Sequence, residues 1–553
     1  MLRPQTIEPV PNETKRVAQA AFPKGHRYLR LADELGTLFT DTLFADLFPT
    51  HGQPALAPWR LALVTILQFA EGLSDRQAAD AVRCRIDWKY VLRLELTDPG
   101  FDASVLCEFR TRLLEGEADA LLFETLLTWC REHQFVKAGG RQRTDSTHVL
   151  AAVRALNRIE LVGEAMRHTL NTLAVVAPDW LRTVSHPDWS ERYARRAEDT
   201  RLPSKQAARE ALALTIGTDG WRLLTAVYQI DAPTWLRAVP AVDLLRRMWI
   251  QNYQWDGSQV AWRASDNIPP AAQFLSSPYD PDAHYARKHT TQWVGYKVVL
   301  TETCDADLPH LITNVETTAG PVADGDVTPS IHAALSERQL LPHTHIVDTG
   351  FLDAALLVES DAQFGVDLFG PTRLDDHWQA REQTGFAAAQ FQIDWQQQQA
   401  TCPEGKTSIS WTPAVDKRTN EVIKIKFSTK DCRHCPQLTQ CVRSKKRYPR
   451  RTITLRREQQ HQALQAARQR EGTQAFQQEY DRRAGIEGTL SRGVRTLRLR
   501  RTPYIGQDRT HLGHVLTATG LNWLRLGEWL MEVPRAKTRR SPFTRLMAGT
   551  GPT

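Results

Sequence analysis

The sequence predicts an α/β protein in which a mixed sheet follows an all-helical N-terminal region. Residues 1–135 carry helix signals throughout. The stretch RQRTDSTHVL, which contains Asp145, has the alternation of a strand. Strand patterns then recur in WVGYKVVLTE, HLITNVETT, THIVDTGF and GVDLFGP, with a helix pattern at about 325–339 between them. Strands joined by a helix indicate a mixed α/β core.

The totals place the chain among large globular proteins. With 553 residues it is long for one hydrophobic core, so we expect about two to four domains. No apolar run reaches the roughly 18 residues that a membrane span needs, and the N-terminus MLRPQTIEPVPNETKR lacks the apolar segment of a signal peptide. We therefore expect a cytoplasmic protein without a membrane partner.

The N-terminal region contains recognisable helix starts. Pro58 stands at a first helical position before WRLALVTILQFAEG, and Ser74 with Gln77 predicts a capping box at the next helix. LSDRQAADAVRCRIDWKYVLRLEL then predicts two short helices with a tight junction near Arg83 to Ile86. A DNA-binding helix-turn-helix and an ordinary helix pair in a bundle both fit this pattern.

The rest of the chain changes character several times. After the strand at Asp145 comes a helical, Trp-rich stretch, and the polar segment from 372 contains four of the eight cysteines. A long Gln- and Arg-rich helix is expected at about 456–483, followed by a last amphipathic helix in THLGHVLTATGLNWLRLGEWL. The expected segments are 1–135, helical; 136–371, first part of the core with an insertion at about 155–262; 372–450, cysteine-rich insertion; 451–533, last part of the core; and 534–553, a disordered basic tail.

Positive charge is concentrated in two blocks, although the net charge is only +7. Residues 443–457 carry eight Lys or Arg and no acid, and residues 491–509 carry six Arg against Asp508. Such density indicates a polyanionic partner such as nucleic acid, and solvated helix surfaces are the alternative. The candidate DNA-binding side chains are Lys445, Lys446, Arg447, Arg492, Arg495, Arg498, Arg500 and Arg501.

The stretch THIVDTGF allows two interpretations of Asp348. Its D-T-G resembles an aspartic protease loop, but a single-chain protease needs two such loops, whose carboxylates share one proton. The other candidate, Asp145-Ser146-Thr147, lacks the glycine. A one-loop protease subunit is a short β domain, whereas this motif lies deep in a long α/β chain. We therefore interpret Asp348 as a carboxylate delivered to the end of a strand.

Asp145 and Asp348 would lie on two strands of one sheet. If the strands are neighbours, the carboxylates come close enough to share divalent cations. Without a cation the pair would repel and one pKa would rise, whereas Mg²⁺, which prefers oxygen ligands, removes the repulsion. A purely structural role for each aspartate remains the alternative.

A third carboxylate, Glu487, lies at helical spacing from Leu490 and so is expected to face the core. An unpaired charge is costly there, so either Arg483 or a metal must neutralise it. Gly485 and Gly488 flank the glutamate and weaken the helix by about 1 kcal/mol each relative to alanine. Their presence predicts a close approach to the backbone.

Taken together, these motifs resemble the bacterial insertion-sequence DDE transposases. The acidic signatures are RTDSTHV, IVDTGF and the Y-x2-R-x3-E pattern in YDRRAGIE. The segments GLSDRQAADAV, DPGFDASVLCEFRTRLL, GYKVVL, GIEGTLSRGVRTLRLRRTPYIG and HLGHVLTATGLNWLRL are also similar to those of the longer members, so the resemblance covers most of the chain. It implies an RNase H-like catalytic core.

The resemblance also implies roles for individual residues. Asp145, Asp348 and Glu487 would be the catalytic acids, with Tyr480 and Arg483 in support. The family places a Lys seven residues after the Glu, but that position here is Val494, and the nearest base is Arg495. We leave that role unassigned. The long separation between the second and third acids implies a large insertion between them.

That insertion contains four cysteines with a C-x2-C pair, Cys432 to Cys435, and outlying Cys402 and Cys441. Four thiolates are enough for a closed tetrahedral Zn²⁺ site, so we expect a zinc-knuckle-like insertion. Unpaired reduced cysteines are the alternative, and disulfides do not suit a cytoplasmic protein.

The sequence therefore predicts a DDE transposase, a metal-dependent DNA endonuclease and strand transferase. Two Mg²⁺ (or Mn²⁺) ions on the three acids would support cleavage of double-stranded DNA at the terminal inverted repeats of the element. The freed 3′-OH would be joined to target DNA. Homo-oligomerisation on DNA and a nucleoid-associated location would follow. A structure-specific RNase H-like nuclease and a non-catalytic DNA-binding protein remain the alternatives.

Overall fold

The computed structural model describes residues 1–375, 377–382, 385–444 and 447–535, together with residues 543 and 546, except for the side chain of Glu198. Two predicted DNA-binding residues, Lys445 and Lys446, lie outside the described residues, as does most of the predicted tail. Within the described part of the chain, no helix combines the length and apolarity needed to cross a bilayer.

The N-terminal region is helical, as predicted. Its helices are α1 (Asn12–Ala21), α2 (Arg27–Leu35), α3 (Pro58–Glu71), α4 (Asp75–Cys84), α5 (Ile86–Val91), α6 (Ser104–Glu115) and α7 (Leu121–Glu132). Pro58 is the first residue of α3, and Ser74 with Gln77 forms the predicted capping box of α4. Arg85 alone separates α4 from α5, which confirms the tight junction.

A six-stranded mixed sheet forms the centre of the molecule and confirms the α/β class. Its strands are β1 (Arg141–Leu150), β4 (His284–Lys288), β5 (Thr291–Thr303), β6 (Ile312–Ala319), β7 (Thr344–Ile346) and β8 (Asp367–Phe369), connected in part by α13 (Thr328–Glu337) and α14 (Ala354–Phe364). The main order is β4-β5-β1-β7-β8, and β6 also pairs with β5. Strands β4, β1 and β6 are antiparallel to β5, whereas β7 is parallel to β1 and β8 to β7.

The helical insertion between β1 and β4 has a hydrophobic core of its own. Its elements are α8 (Arg158–Val176), α9 (Pro178–Val184), α10 (Trp189–Arg192), α11 (Gln206–Val227), α12 (Pro240–Asn252) and the hairpin of β2 (Tyr253–Trp255) and β3 (Val260–Trp262). Buried side chains of α8, α11 and α12 make up most of this core, including Met166, Leu223 and Met248.

The cysteine-rich insertion is more regular than its polar sequence predicts. It contains α15 (Trp378–Arg381), β9 (Gln392–Asp394), β10 (Gln399–Thr401), β11 (Ser408–Val415), β12 (Glu421–Phe427), α16 (Thr429–Arg433), α17 (Leu438–Cys441) and β13 (Thr452–Arg456). Strands β11, β12 and β13 form an antiparallel sheet. The strands were not predicted because much of each strand lies outside the core: in β12, EVIKIKF, only Val422, Ile425 and Phe427 are buried, and Lys424 is exposed.

Two predictions for the C-terminal helices also need correction. The single helix expected at 456–483 is broken at Gly472 and Thr473, where Thr473 caps a new helix. The last helix is buried over most of its surface rather than amphipathic. The helices are α18 (Glu458–Glu471), α19 (Gln474–Tyr480), α20 (Ala484–Thr496) and α21 (Gln507–Leu530).

Helix α21 joins the N-terminal helices to the sheet. One hydrophobic core includes Leu67 of α3, Val298 of β5 and Trp523 of α21. Gly520 lies against the backbone of α3, and a Cβ there would lie 2.6 Å from the amide nitrogen of Ala70. The N-terminal helices and the sheet are therefore packed around a shared helix.

Candidate active site and nucleic-acid surfaces

Asp145 and Asp348 are positioned by neighbouring strands, which was the condition for the two carboxylates to share a site. In the parallel pair of β1 and β7, Arg143 is opposite Ile346. Two residues further along each chain lie Asp145, within β1, and Asp348, just beyond the end of β7. The Asp348 carboxylate accepts a hydrogen bond from the backbone N–H of Gly350 at 2.7 Å. The register thus brings both carboxylates to one place on the sheet.

Asp145 is a buried acid whose charge is only partly compensated. Its side chain is 14% exposed, and its carboxylate accepts a hydrogen bond from the N–H of Ser146. Burial raises the pKa of Asp145, and the nearby negative charge of Asp348 adds to the rise, although Arg483 and Lys288 oppose it. The net rise shows that the site favours additional positive charge.

Glu487 does not face the core, contrary to prediction. Its side chain is 64% exposed, while Ile486, Thr489 and Leu490 supply buried positions of α20. Glu487 was expected to lie on the same face of α20 as Leu490, which follows three residues later. The buried face of α20 is instead centred on the side of Leu490 away from Glu487. Glu487 therefore projects from the exposed edge of α20 toward solvent and needs no buried counter-ion.

Arg483 connects the third acid to the first. Its guanidinium lies 3.2 Å from Asp145 Oδ2 and 3.4 Å from Glu487 Oε1, and it donates a hydrogen bond to the Tyr480 hydroxyl at 3.1 Å. Burial lowers the pKa of Arg483, but the Tyr480 hydrogen bond and the Asp145 charge outweigh burial and raise it. Arg483 thus neutralises Glu487, the simpler of the two predicted outcomes, and also contacts Asp145.

A buried ionic network fixes α20 against the sheet. Glu302 of β5 is fully buried and accepts hydrogen bonds from Arg143 at 2.7 Å, Arg525 at 2.7 Å and Thr489 at 2.6 Å. Burial raises the pKa of Glu302, but the two guanidinium groups outweigh it and lower the pKa. The network ties β1, β5, α20 and α21 together, so it positions the helix that carries Glu487.

The close approach predicted at the two glycines occurs at only one of them. A Cβ on Gly485 would lie 2.1 Å from the Arg143 guanidinium, whereas Gly488 has open space around it. Gly485 therefore lets Arg143 pass under the first turn of α20.

Sequence analysis missed a further carboxylate beside the site. Asp324 has a 10% exposed side chain and pairs with Lys297 at 2.7 Å and Lys288 at 3.4 Å. It also accepts a hydrogen bond from Ser146 at 3.1 Å, and a Cβ on Gly350 would lie within 3.3 Å of it. Burial raises the pKa of Asp324, but Lys297 outweighs burial and lowers it. The lysine in GYKVVL, an inward-facing charge in an apolar strand, was the available sequence signal.

The four cysteines of the insertion come together. Cys402, Cys432, Cys435 and Cys441 line one small cavity of about 30 Å³. Burial raises the pKa of Cys432, and it raises the pKa of Cys441 to about 11, with smaller contributions from the neighbouring thiols. The raised pKa disfavours the thiolate form of Cys432 and Cys441, whereas a Zn²⁺ ligand is a thiolate.

Neither predicted metal site is fully assembled. Across the described residues, no group of three or more His, Cys, Asp or Glu side chains is arranged to hold a metal ion. Asp145 and Asp348 nonetheless offer neighbouring carboxylate oxygens, which are the ligands that Mg²⁺ or Mn²⁺ prefers. The cysteines offer four donors around a shared cavity, which suits the donor number of Zn²⁺.

The arginines of the second basic block have different surroundings. Arg492 pairs with Glu528 at 3.1 Å, so its charge is partly neutralised. Arg500 donates a hydrogen bond to the Thr147 hydroxyl at 2.8 Å, two residues from Asp145 along β1. The remaining candidates, Arg495, Arg498 and Arg501, are exposed. The part of this block around Arg500 therefore lies near the acidic site.

The first basic block lies by the cysteine-rich insertion. Arg447 is exposed, and its guanidinium lies 5.4 Å from the ring centre of Tyr448. This arrangement leaves the arginine charge accessible to a polyanion.

The helix pair α4 and α5 presents only its first helix to solvent. Trp88 and Lys89 of α5 are at most 3% exposed, whereas Arg76 and Gln77 of α4 are exposed. In a helix-turn-helix the second helix enters the major groove. The exposed side chains of α4 are therefore the ones available to DNA in this arrangement.

Two families match parts of the chain. The family described as Transposase DDE domain matches residues 401–527, and the family described as Transposase domain (DUF772) matches residues 16–112. No curated protein and no solved structure matched the chain. The first match includes Glu487, Arg483 and the four clustered cysteines, and the second covers α2 to α5 and most of α1 and α6.

Proposed function

We propose that this chain is an insertion-sequence DDE transposase that cleaves DNA at the ends of its element and joins them to target DNA. The two transposase matches support this proposal. Hydrolysis of a phosphodiester at the element end would leave a 3′-OH. That hydroxyl would then attack a phosphodiester of target DNA, forming one P–O bond as the target strand breaks. No covalent protein intermediate is required.

One observation carries the proposal: the register of β1 and β7 brings Asp145 and Asp348 together, and Arg483 links Asp145 to Glu487. The three acids come from distant parts of the sequence: Asp145 and Asp348 are placed side by side by neighbouring strands, and Glu487, whose side chain is 64% exposed, is connected to Asp145 through Arg483. The order β6-β5-β1-β7-β8, with an antiparallel meander extended by two strands parallel to β1, supports an RNase H-like core.

Asp145, Asp348 and Glu487 would hold divalent cations, Mg²⁺ or Mn²⁺. Bound there, such cations supply Lewis-acid stabilisation to the attacking and leaving oxygens of a phosphodiester. The raised pKa of Asp145 fits this role, because an added cation would stabilise its charged form. For Glu487 to act as a ligand, Arg483 must release it, and the exposed position of Glu487 leaves room for that movement.

The chain's own residues would position the DNA. Arg500 donates a hydrogen bond to Thr147, two residues from Asp145 along β1, and Lys288 pairs with Asp324. These two side chains would supply positive charge near Asp145. Phosphate contacts of this kind set the register of a protein on DNA. The partners would be the terminal inverted repeats and the target duplex, and synapsis of two ends would require a homo-oligomer. Association with the nucleoid would follow from DNA binding.

The cysteine cavity would hold a structural Zn²⁺. Cys402, Cys432, Cys435 and Cys441 supply the four donors, and binding would require their deprotonation. The metal would connect Cys432 of α16, Cys435 in the following turn and Cys441 of α17 to Cys402, which lies between β10 and β11.

The decisive experiment incubates the protein with DNA containing its flanking element ends and Mg²⁺ and maps nicks by sequencing gel. We expect nicks at both element ends and, with target DNA present, strand-transfer products. Nicks without joining would favour the structure-specific nuclease, and binding without nicks would favour the non-catalytic DNA-binding protein. The Asp145→Asn protein serves as the matched inactive control.

A further inference from the structure

The helical insertion exposes an aromatic surface that the proposed chemistry does not use. Trp221, Tyr228, Ile250 and Trp255 are 46–57% exposed. Large aromatic side chains are usually mostly buried, and a cluster of exposed ones marks a binding surface.

These residues surround a cleft of about 440 Å³ between α11, α12 and the β2–β3 hairpin. The indole rings of Trp221 and Trp255 are stacked, with centroids 5.3 Å apart and planes at 27°. Beneath them, Trp249 and Tyr253 are buried and donate hydrogen bonds inward, to the carbonyl oxygens of Gly217 and Ala213. The two buried rings are thereby fixed by hydrogen bonds.

Glycines in α11 allow this construction. A Cβ on Gly220 would lie 2.0 Å from the Trp249 ring, and a Cβ on Gly217 would lie 2.4 Å from the Tyr253 ring. Since only glycine permits α11 to rest directly on these rings, the rigid base of the cleft depends on both positions.

The charges of the cleft are of one sign. Its described lining includes Arg246 and Arg263 but no carboxylate. Arg263 donates hydrogen bonds to the backbone carbonyls of Ile250 at 3.0 Å and Tyr253 at 2.9 Å, which hold its guanidinium at the rim. Arg246 pairs with Asp243 at 2.9 Å, outside the lining. Asp243 partly neutralises Arg246, so the cleft combines flat apolar rings with the cation of Arg263, which has no carboxylate partner among the described residues.

We propose that this aromatic cleft binds unpaired nucleobases of a DNA strand. Nucleobases stack on exposed aromatic rings, and arginines bind the adjacent phosphates. The inference rests on the proposed function, because cleavage and joining at element ends expose unpaired strand ends. A second copy of this chain fits less well, since a two-fold contact through the cleft would place arginines against arginines.

The test compares binding of a single-stranded oligothymidylate and of a duplex of equal length, by fluorescence anisotropy without divalent cations. Combined Trp221→Ala and Trp255→Ala should weaken single-strand binding by about 5- to 100-fold, because each stacked base contributes about 1–3 kcal/mol. Duplex binding should change little. Trp235→Ala is the matched control, because Trp235 is 49% exposed in the same insertion but does not line the cleft.

A second variant separates stacking from apolar contact. Trp255→Leu keeps an apolar side chain but removes the flat ring, so single-strand binding should still fall. Loss in the Trp235→Ala control equal to that in the double variant would overturn the inference. So would unchanged single-strand binding together with a change in oligomeric state by analytical ultracentrifugation, which would assign the surface to a second copy.

The outcome is separable from that of the proposed function. If the wild-type protein nicks element ends but the tryptophan variants bind single strands normally, only the base-binding inference fails. If the wild type never nicks DNA yet loses single-strand binding in the variants, the proposed transposition fails and base binding stands.

Discussion

The side chains of the acidic site and those of the cysteine cavity are held in place by different interactions. Asp145 is surrounded by formal charges, with Arg483 at 3.2 Å and Lys288 nearby. Burial raises the pKa of Cys432 and Cys441, and the hydrophobic core beside the four cysteines has six buried members among the described residues. A buried carboxylate requires counter-charges, whereas a protonated thiol packs as a small apolar group. The acidic site is thus organised by ion pairs, whereas the cysteine cavity is held in place by a small hydrophobic core.

The largest effect should follow from removing the acids. Asp145→Asn, Asp348→Asn and Glu487→Gln should each lower cleavage and joining by roughly 10²–10³-fold or more, since transition-state stabilisation is lost. DNA binding should remain nearly intact, as measured by gel shift without Mg²⁺.

The matched control is Asp481→Asn, an exposed acid in the turn before α20. Because Glu487 is the exposed member of the three, it is the sharpest test. A Glu487→Gln protein that cleaves at the wild-type rate would restrict the site to the two aspartates.

The ionic organisation of the acidic site predicts a strong response at Glu302. Glu302→Gln leaves Arg143 and Arg525 buried without their counter-charge, which should cost about 3–5 kcal/mol of unfolding free energy. Urea denaturation followed by circular dichroism measures this loss. Glu316→Gln, a partly buried change on neighbouring β6, is the control, and an equal effect of both variants would argue against a special role for the network.

The cysteine site should respond to metal rather than to charge. We expect about one Zn²⁺ per chain by elemental analysis, and Cys435→Ser should lose it and make residues 385–444 sensitive to proteolysis. Cys84→Ser, at an exposed cysteine of α4, should retain the metal. Absence of zinc from protein purified without chelators would leave four reduced thiols as the correct description.

The second basic block, residues 491–509, is expected to bind DNA beside the acidic site. Replacing Arg498, Arg500 and Arg501 together by alanine should flatten the slope of log K against log salt by about one to three units, since each phosphate contact contributes about 0.9. Arg492→Ala should alter the slope less, because Glu528 already neutralises that arginine. An unchanged slope in the triple variant would place the DNA elsewhere.

The smallest effect concerns stability and pH. Because the folded-state pKa of Asp145 lies above its usual value, its charged form destabilises the fold at pH values above that pKa. Asp145→Asn should therefore raise the melting temperature slightly at pH 7, and the gain should shrink as pH falls through the raised folded-state pKa and vanish below the ordinary aspartate pKa. Differential scanning fluorimetry across the acid range measures it, and a variant that is less stable at pH 7 would contradict the sign.

The strands of the acidic site were predictable from sequence, but its geometry was not. Alternation in RQRTDSTHVL located Asp145 on a strand, and the apolar run before Asp348 located that residue just beyond the end of one. The prediction of the Glu487 orientation was wrong because helical spacing relates Glu487 to Leu490 but does not say where the buried face is centred. Asp324 was missed because its role depends on Lys288 of β4 and Lys297 of β5, whose contacts with it are not visible in the sequence.

The cysteine-rich region shows a second limit of sequence reasoning. The grouping of the four cysteines around one cavity was predicted from the C-x2-C pair and its neighbours. The sheet of β11, β12 and β13 was not, because short strands with exposed lysines resemble loops in composition. The spacing of the cysteines in the sequence thus predicted that they lie together. The sheet beside them became apparent only from the pairing of its strands.

The central position of α21 has a consequence for how the protein is made. A ribosome completes α3 several hundred residues before α21, an interval on the order of tens of seconds at typical bacterial rates. The apolar surface of α3 that α21 covers, and that of β6 once β6 has been made, lack this partner until α21 follows. The nascent chain therefore exposes both surfaces until α21 has been synthesised, and Glu487 is added shortly before that helix.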